Sequence, residues 1–338
     1  MDSKYVTRIR ELGFQWETNN PFLFCVHHLD HYPRGNKEMG PAASLAGRDL
    51  GQDFTVKDGW RMYHGRKIPG FPVHPHRGFE TVTVVLNGFV DHADSMGAAG
   101  RYGNGDVQWM TAGAGMQHAE MFPLIKTEAE NPLELFQIWL NLPAKSKFVK
   151  SYYKMLWNED IPKLTLHDDS GKSTEVKVIA GSVDGTAAPP PTPDSWAAPE
   201  GNRVAIWLIK MEAEATWEVP SAAEQVTRSI YYYRGEQIWV DGREIGSYKS
   251  AALHPSQRIE IQNGAGESRI LLLQGRPIEE PVVQYGPFVM NTEVEIRQAF
   301  ADYRETEFGG WPWPRPDQVH ERSRGRFARY PDGREETR

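Results

Sequence analysis

His74-Pro75-His76-Arg77-Gly78-Phe79-Glu80-Thr81-Val82-Thr83-Val84-Val85-Leu86-Asn87-Gly88 is the stretch from which the fold can be read. Thr81 to Leu86 is a short, β-branched run, and Asn87-Gly88 after it is the turn chemistry that joins antiparallel strands. Val107 to Met110 and Leu135 to Leu142 follow in the same style, with Gly103-Asn104-Gly105-Asp106 as another turn. Residues 71 to 142 therefore read as a block of antiparallel hairpins.

A second block runs from Glu175 to about Pro277. It contains Val176 to Ile179, Val204 to Lys210, Ser229 to Tyr233, Gln237 to Val240, Arg258 to Ile261 and Arg269 to Leu273, punctuated by Asp241-Gly242 and Asn263-Gly264. Two successive blocks of similar size imply a duplicated β architecture, each a sandwich or small barrel. Tyr152 to Pro162 and Asp168 to Lys172 read as a polar connector. Pro189-Pro190-Pro191-Thr192-Pro193 cannot sit in a central strand and reads as an exposed loop. Thr292 and Glu295 form a capping box ahead of Ile296, Ala299, Phe300 and Tyr303, which predicts one helix over 292–306. Residues 315 to 338 carry seven Arg against five acids and read as a loosely ordered tail.

Composition agrees with this reading. The 31 Gly and 24 Pro make up about a sixth of the 338 residues, against roughly 12% in an average protein, which argues against a helical bundle. A net charge of −7 offers no broad basic surface, so direct nucleic-acid binding is not expected. Cys25 is the single cysteine, which excludes an internal disulfide or a Cys-based zinc site, and it reads as an inert buried thiol. Met1 to Gln15 lacks an apolar signal core and no stretch approaches 18 apolar residues, so a cytoplasmic protein without a membrane partner is expected.

The chemistry lies in two pairs. His74 and His76 are two residues apart on a strand and share a face; His118-Ala119-Glu120 repeats that spacing. Neighbouring strands offering these pairs to one interior assemble three imidazoles and a carboxylate, a donor set for a first-row divalent metal. Glu80 is a rival carboxylate, since an unbroken strand from His74 puts it on the same face, unless Gly78 interrupts the alternation. Spacing does not choose between Glu80 and Glu120. His27, His28, Asp30 and His31 form another polar cluster, which reads as a solvated loop after the strand-like Phe22 to Val26. Gly103-Asn104-Gly105 and Gly113-Ala114-Gly115 read as turns, because neither opens a helix as a phosphate cradle requires. Phe79, Trp109, Met110 and Met116 read either as barrel core or as the lining of an aromatic pocket.

His74 to Val84, Gly105 to Gly113 and His118-Ala119-Glu120-Met121 resemble the pirin family of bicupins. Leu140-Asn141-Leu142-Pro143-Ala144-Lys145 and Gly286-Pro287-Phe288-Val289-Met290-Asn291-Thr292 extend the resemblance from about Asn20 to Gly309. It implies an all-β chain of two tandem cupin (jelly-roll) barrels with a short C-terminal helix. The expected division is an N-terminal metal barrel over 1–163, a metal-free barrel over 164–309 with the helix, and an Arg-rich tail over 310–338. By the same resemblance the metal ligands fall on His74, His76, His118 and Glu120, and Glu80 becomes a supporting carboxylate. The family's metal is usually iron, so one Fe2+ is expected, although Mn, Co, Ni, Cu and Zn suit the same ligands. Gly40 to Met62 departs from the family as an insertion before the first motif, and it is expected over the barrel mouth.

The resemblance further implies quercetin 2,3-dioxygenase chemistry, in which O2 opens the central ring of a flavonol and releases carbon monoxide. Three neutral imidazoles and a carboxylate leave a divalent ion with open coordination positions; metal ligation acidifies the flavonol hydroxyl, and Glu120 takes its proton as the catalytic base. O2 and a flat phenolic molecule are the implied partners. The same resemblance implies an alternative, a non-enzymatic iron-bound redox-sensing regulator that binds a protein partner.

Overall fold

The computed structural model describes residues 4–338. The chain forms two compact units, and their boundaries are not sequential: residues 26–158 join 280–338, while residues 1–25 join 159–279. This differs from the expected division at 163 and 309, and pairing with distant partners is the reason. Strand Val6–Glu11 is antiparallel to Lys249–Leu253, and Trp16 stacks on Tyr231 at 5.4 Å. At the other end of the chain, the helix packs on Phe288 and Met290, and this segment is tied to residue 77 by Val289 N–H donating to the Arg77 carbonyl at 3.0 Å and Arg77 Nη1 donating to Asp302 at 2.6 Å.

The 26–158/280–338 unit is a double sheet. One sheet runs in the order Tyr152–Leu156, Val107–Thr111, Phe79–Asn87, Asn131–Asn141, Phe22–Tyr32. The other runs Glu335–Thr337, Phe327–Arg329, Ala99–Gly103, Phe89–Asp94, Met116–Met121, Gly70–His76. From Phe22–Tyr32 to Asn131–Asn141 the chain crosses from one sheet to the other at every step except the hairpin of Phe89–Asp94 with Ala99–Gly103, which is jelly-roll construction. The chain changes sheet at Gly78, whose φ is +85° and whose missing Cβ would stand 2.1 Å from the Val289 carbonyl oxygen. Only glycine fits there. Strand alternation therefore does not carry through from His74 to Glu80.

Several local expectations change. Tyr152–Leu156 is a strand rather than connector, paired with Val107–Thr111 and burying Tyr153, Met155 and Leu156. His27, His28, Asp30 and His31 lie on strand Phe22–Tyr32 and not in a solvated loop; His27, His28 and Asp30 are buried. Two of these have distant partners: His27 Nε2 lies 3.1 Å from Glu134, and Asp30 accepts from Arg61 Nε at 2.9 Å and from the Tyr63 hydroxyl at 2.6 Å. Arg61 and Tyr63 come from and just beyond the 40–62 insertion, which also buries Trp60 and Met62 in the core beside Tyr32 and Leu124.

The Arg-rich tail is ordered. Arg101, 1% exposed, pairs with Asp91 through Nε and Nη2 and also donates to the carbonyls of His320, Glu321, Arg322 and Arg324, while Phe327–Arg329 extends the sheet beside Ala99–Gly103. The helix is Glu293–Thr306, with Thr292 as N-cap and a complete capping box to Glu295.

The 1–25/159–279 unit sets a seven-stranded sheet, with Lys163–His167 at one edge, against a four-stranded one. Its core interleaves Val176, Val178, Trp207, Ile209, Ile230 and Tyr232 with Ile238, Val240, Ile259 and Ile261. The proline-rich loop at 189–193 lies outside the strands, although Thr192 is buried. Among the described residues no helix is long and apolar enough to cross a membrane.

Candidate metal centre

Strands Gly70–His76 and Met116–Met121 are antiparallel neighbours in a register that sets His74 opposite His118 and His76 opposite Met116. Residues opposite one another share a face, and so do residues two apart on one strand, so His74, His76 and His118 converge. One nitrogen from each lies within 4.8 Å of the other two. The ring centroids are 4.4 Å (His74–His118), 4.7 Å (His74–His76) and 4.9 Å (His76–His118) apart.

The remaining ring nitrogens orient the site. His74 Nδ1 lies 2.8 Å from the Pro72 carbonyl and His76 Nδ1 lies 3.4 Å from that of Pro287, contacts that set the tautomers and leave each Nε2 as the electron-pair donor. His118 is fully buried, and neither of its ring nitrogens has a hydrogen-bond partner. A buried imidazole in that state costs free energy unless something else takes its lone pair, as a bound metal ion would. Burial lowers the His74 pKa to about 4, and burial together with neighbouring imidazoles holds His76 and His118 well below the usual value. All three are therefore neutral at pH 7, the form that ligates.

The two rival carboxylates are separated by the change of sheet at Gly78. Glu80 is buried, with its Oε1 accepting from Thr111 Oγ1 at 2.7 Å and from Trp109 Nε1 at 3.2 Å. Glu120 lies beside the imidazoles, with Oε2 3.8 Å from His118 Nε2. It stands at the edge of the triad, outside the set of mutually close ligand atoms. Thr83 Oγ1 donates to its Oε1 at 3.1 Å, Gln137 Nε2 donates to its Oε2 at 2.5 Å, and the Tyr102 hydroxyl is 3.5 Å away. Burial raises the Glu120 pKa against these hydrogen bonds.

Thr83, Tyr102 and Gln137 escape the sequence reading; the only local sign is an amide amid the apolar run from Leu135 to Leu142. His92 escapes it too: its ring centroid is 5.6 Å from that of His118, it stacks on Tyr153, and its Nε2 lies 3.1 Å from Asp94. Phe79, Trp109, Met110 and Met116 are fully buried and belong to the core. Of these, Phe79 also meets His76 edge-on and stacks on Trp139 at 3.9 Å, and Trp139 itself lies 5.3 Å from His76. An aromatic wall thus flanks the triad.

Comparison with known proteins covers both units. The family model described as Pirin matches residues 13–140, and that of the Pirin C-terminal cupin domain matches residues 206–309. A Pseudomonas aeruginosa relative named "Putative quercetin 2,3-dioxygenase" is 37% identical over 251 residues, which is 70% of this chain and 80% of that protein. Human pirin is 36% identical over 253 residues, 73% of this chain and 80% of its own length. The crystal structure of a quercetin 2,3-dioxygenase from Acinetobacter baumannii superposes with a TM-score of 0.70 at 27% identity, covering 92% of this chain and 98% of that one.

Proposed function

This chain belongs to the pirin family, and from that premise we propose that it is a metal-dependent dioxygenase that opens the central ring of a flavonol such as quercetin. The observation that carries the reading is the imidazole triad, with His76 and His118 buried and, above all, both ring nitrogens of His118 unpartnered. His74, His76 and His118 would hold one divalent ion, with Fe2+ the family expectation, and Glu120 completes the donor set. Bound there, the ion supplies Lewis acidity toward an enolic hydroxyl and electron exchange with O2.

The residues around it do the rest. Glu120 accepts the hydroxyl proton of the flavonol, and Gln137 and Thr83 hold its carboxylate in place. The Pro72 carbonyl keeps the His74 ring turned with its other nitrogen inward. Phe79 and Trp139 brace His76 with apolar surface that favours a flat aromatic ligand over water.

Aerobic turnover of quercetin by protein loaded in turn with iron, manganese, cobalt and nickel tests this. Carbon monoxide release that His76→Ala abolishes and Glu120→Gln lowers by about a hundredfold is the expected result. No carbon monoxide with any of the four metals would sink it.

A further inference from the structure

The 1–25/159–279 unit, whose barrel has no histidine pair, carries a solvent-open cavity of about 790 Å3, within the range of small-molecule sites. At one end of its larger sheet, Ala205, Gln274 and Arg228 stand opposite one another on three adjacent strands. Two residues further along each strand, Trp207, Leu272 and Ile230 lie in the core. Alternation therefore makes Arg228 an inward-facing residue at the end of the barrel.

A buried charge at such a position needs a reason. Arg228 is 2% exposed and lines the cavity. Its Nε and Nη2 donate to Gln274 Oε1 at 2.8 and 2.5 Å, and its Nη1 donates to the Pro220 carbonyl at 2.6 Å. None of these acceptors is charged. Gln274 is itself fixed, since its Nε2 donates to the Arg203 carbonyl at 3.0 Å. Three of the five guanidinium N–H groups are thereby used, and one on each Nη remains. Burial lowers the Arg228 pKa only to about 10, so the charge persists at neutral pH. A second donor is also unsatisfied: Trp207, 2% exposed and lining the same cavity, has no partner for its indole Nε1. The acids on the lining, Asp184 and Glu200, are exposed, and Glu200 pairs with Arg203 at 3.5 Å.

We propose that this cavity binds an organic carboxylate with a flat apolar body, its carboxylate held by the two spare Nη hydrogens of Arg228 with Trp207 Nε1 as a further donor. Val183, Pro189, Pro191 and Val204 on the lining favour an organic anion over an inorganic one. The site is independent of the metal centre, and a failure of either leaves the other standing.

Calorimetric titration of the full chain with benzoate tests the proposal, with benzyl alcohol as the neutral control and inorganic phosphate as the competing anion. Benzoate is expected to bind, with the alcohol and phosphate at least about tenfold weaker. Arg228→Met should weaken benzoate by about tenfold or more. Ala187→Phe, at an exposed lining position that leaves the guanidinium intact, should weaken it comparably by filling the cavity, and decides the matter if Arg228→Met does not fold. His76→Ala, in the other unit, should leave binding unchanged. Absent benzoate binding, phosphate binding as tight as benzoate, benzoate binding that survives Ala187→Phe, or binding lost in His76→Ala would each overturn it.

Discussion

Gln137 Nε2 donates to Glu120 Oε2 at 2.5 Å, a bond that ties the carboxylate on one sheet of the barrel to a strand of the opposite sheet. It sets the position of the acidic group whose Oε2 lies 3.8 Å from His118 Nε2. Gln137→Leu keeps the volume and removes the donor, so the carboxylate loses its anchor. The expected outcome is metal binding weakened by about 10- to 100-fold in a competition titration, with an unchanged circular dichroism spectrum. Unaltered metal affinity and unaltered turnover would separate Glu120 from the metal's chemistry.

Acid should unfold the metal-free protein through the same histidines. In the folded state His74 titrates at about 4, against about 6.5 in an unfolded chain, so between those values the unfolded state binds more protons. Stability is fully present above about pH 6.5 and falls as pH drops toward 4. His74 is partly exposed, which reduces its share to about 1–3 kcal/mol. Melting curves of stripped protein at pH 7 and pH 5 should show a drop that His74→Asn flattens; parallel curves for the two proteins would refute the assignment.

Gly78 is the corner where the chain leaves the His76 strand for the next sheet. A Cβ there meets the Val289 carbonyl oxygen at 2.1 Å, on a backbone with φ of +85°. Gly78→Ala should therefore cost about 3 kcal/mol or more, read from urea unfolding. A loss below about 1 kcal/mol would mean that the 288–290 strand can retreat without consequence.

Arg101 organises the C-terminal segment by donating to the carbonyls of His320, Glu321, Arg322 and Arg324 while paired with buried Asp91. Arg101→Met strips those acceptors and leaves Asp91 without its cation, a change of about 3–5 kcal/mol. Limited trypsin digestion should leave residues 315–338 intact in the wild type and remove them from the variant. Equal rates of cleavage would show that the segment is held by other contacts.

How far each feature was legible follows from the range of the interactions behind it. The helix at 293–306 was readable because its capping box lies within four residues. Burial of His27 and Asp30 was not, because Glu134 and Arg61 stand far away in the chain and a polar run looks the same in solvent. The order of the Arg-rich tail was hidden for a similar reason: its carbonyls are satisfied by Arg101, some 220 residues earlier, and backbone acceptors leave no composition signal.

The sequence by itself determined the pairing of His74 with His76 and of His118 with Glu120, because strand geometry puts residues two apart on one face whatever surrounds them. Only the tertiary structure decided that His74 stands opposite His118, that the turn at Gly78 carries Glu80 to Thr111 and Trp109, and that Glu120 is held by Gln137 beside the triad. Register and sheet assignment are set by contacts between distant strands, and local alternation contains no information about them.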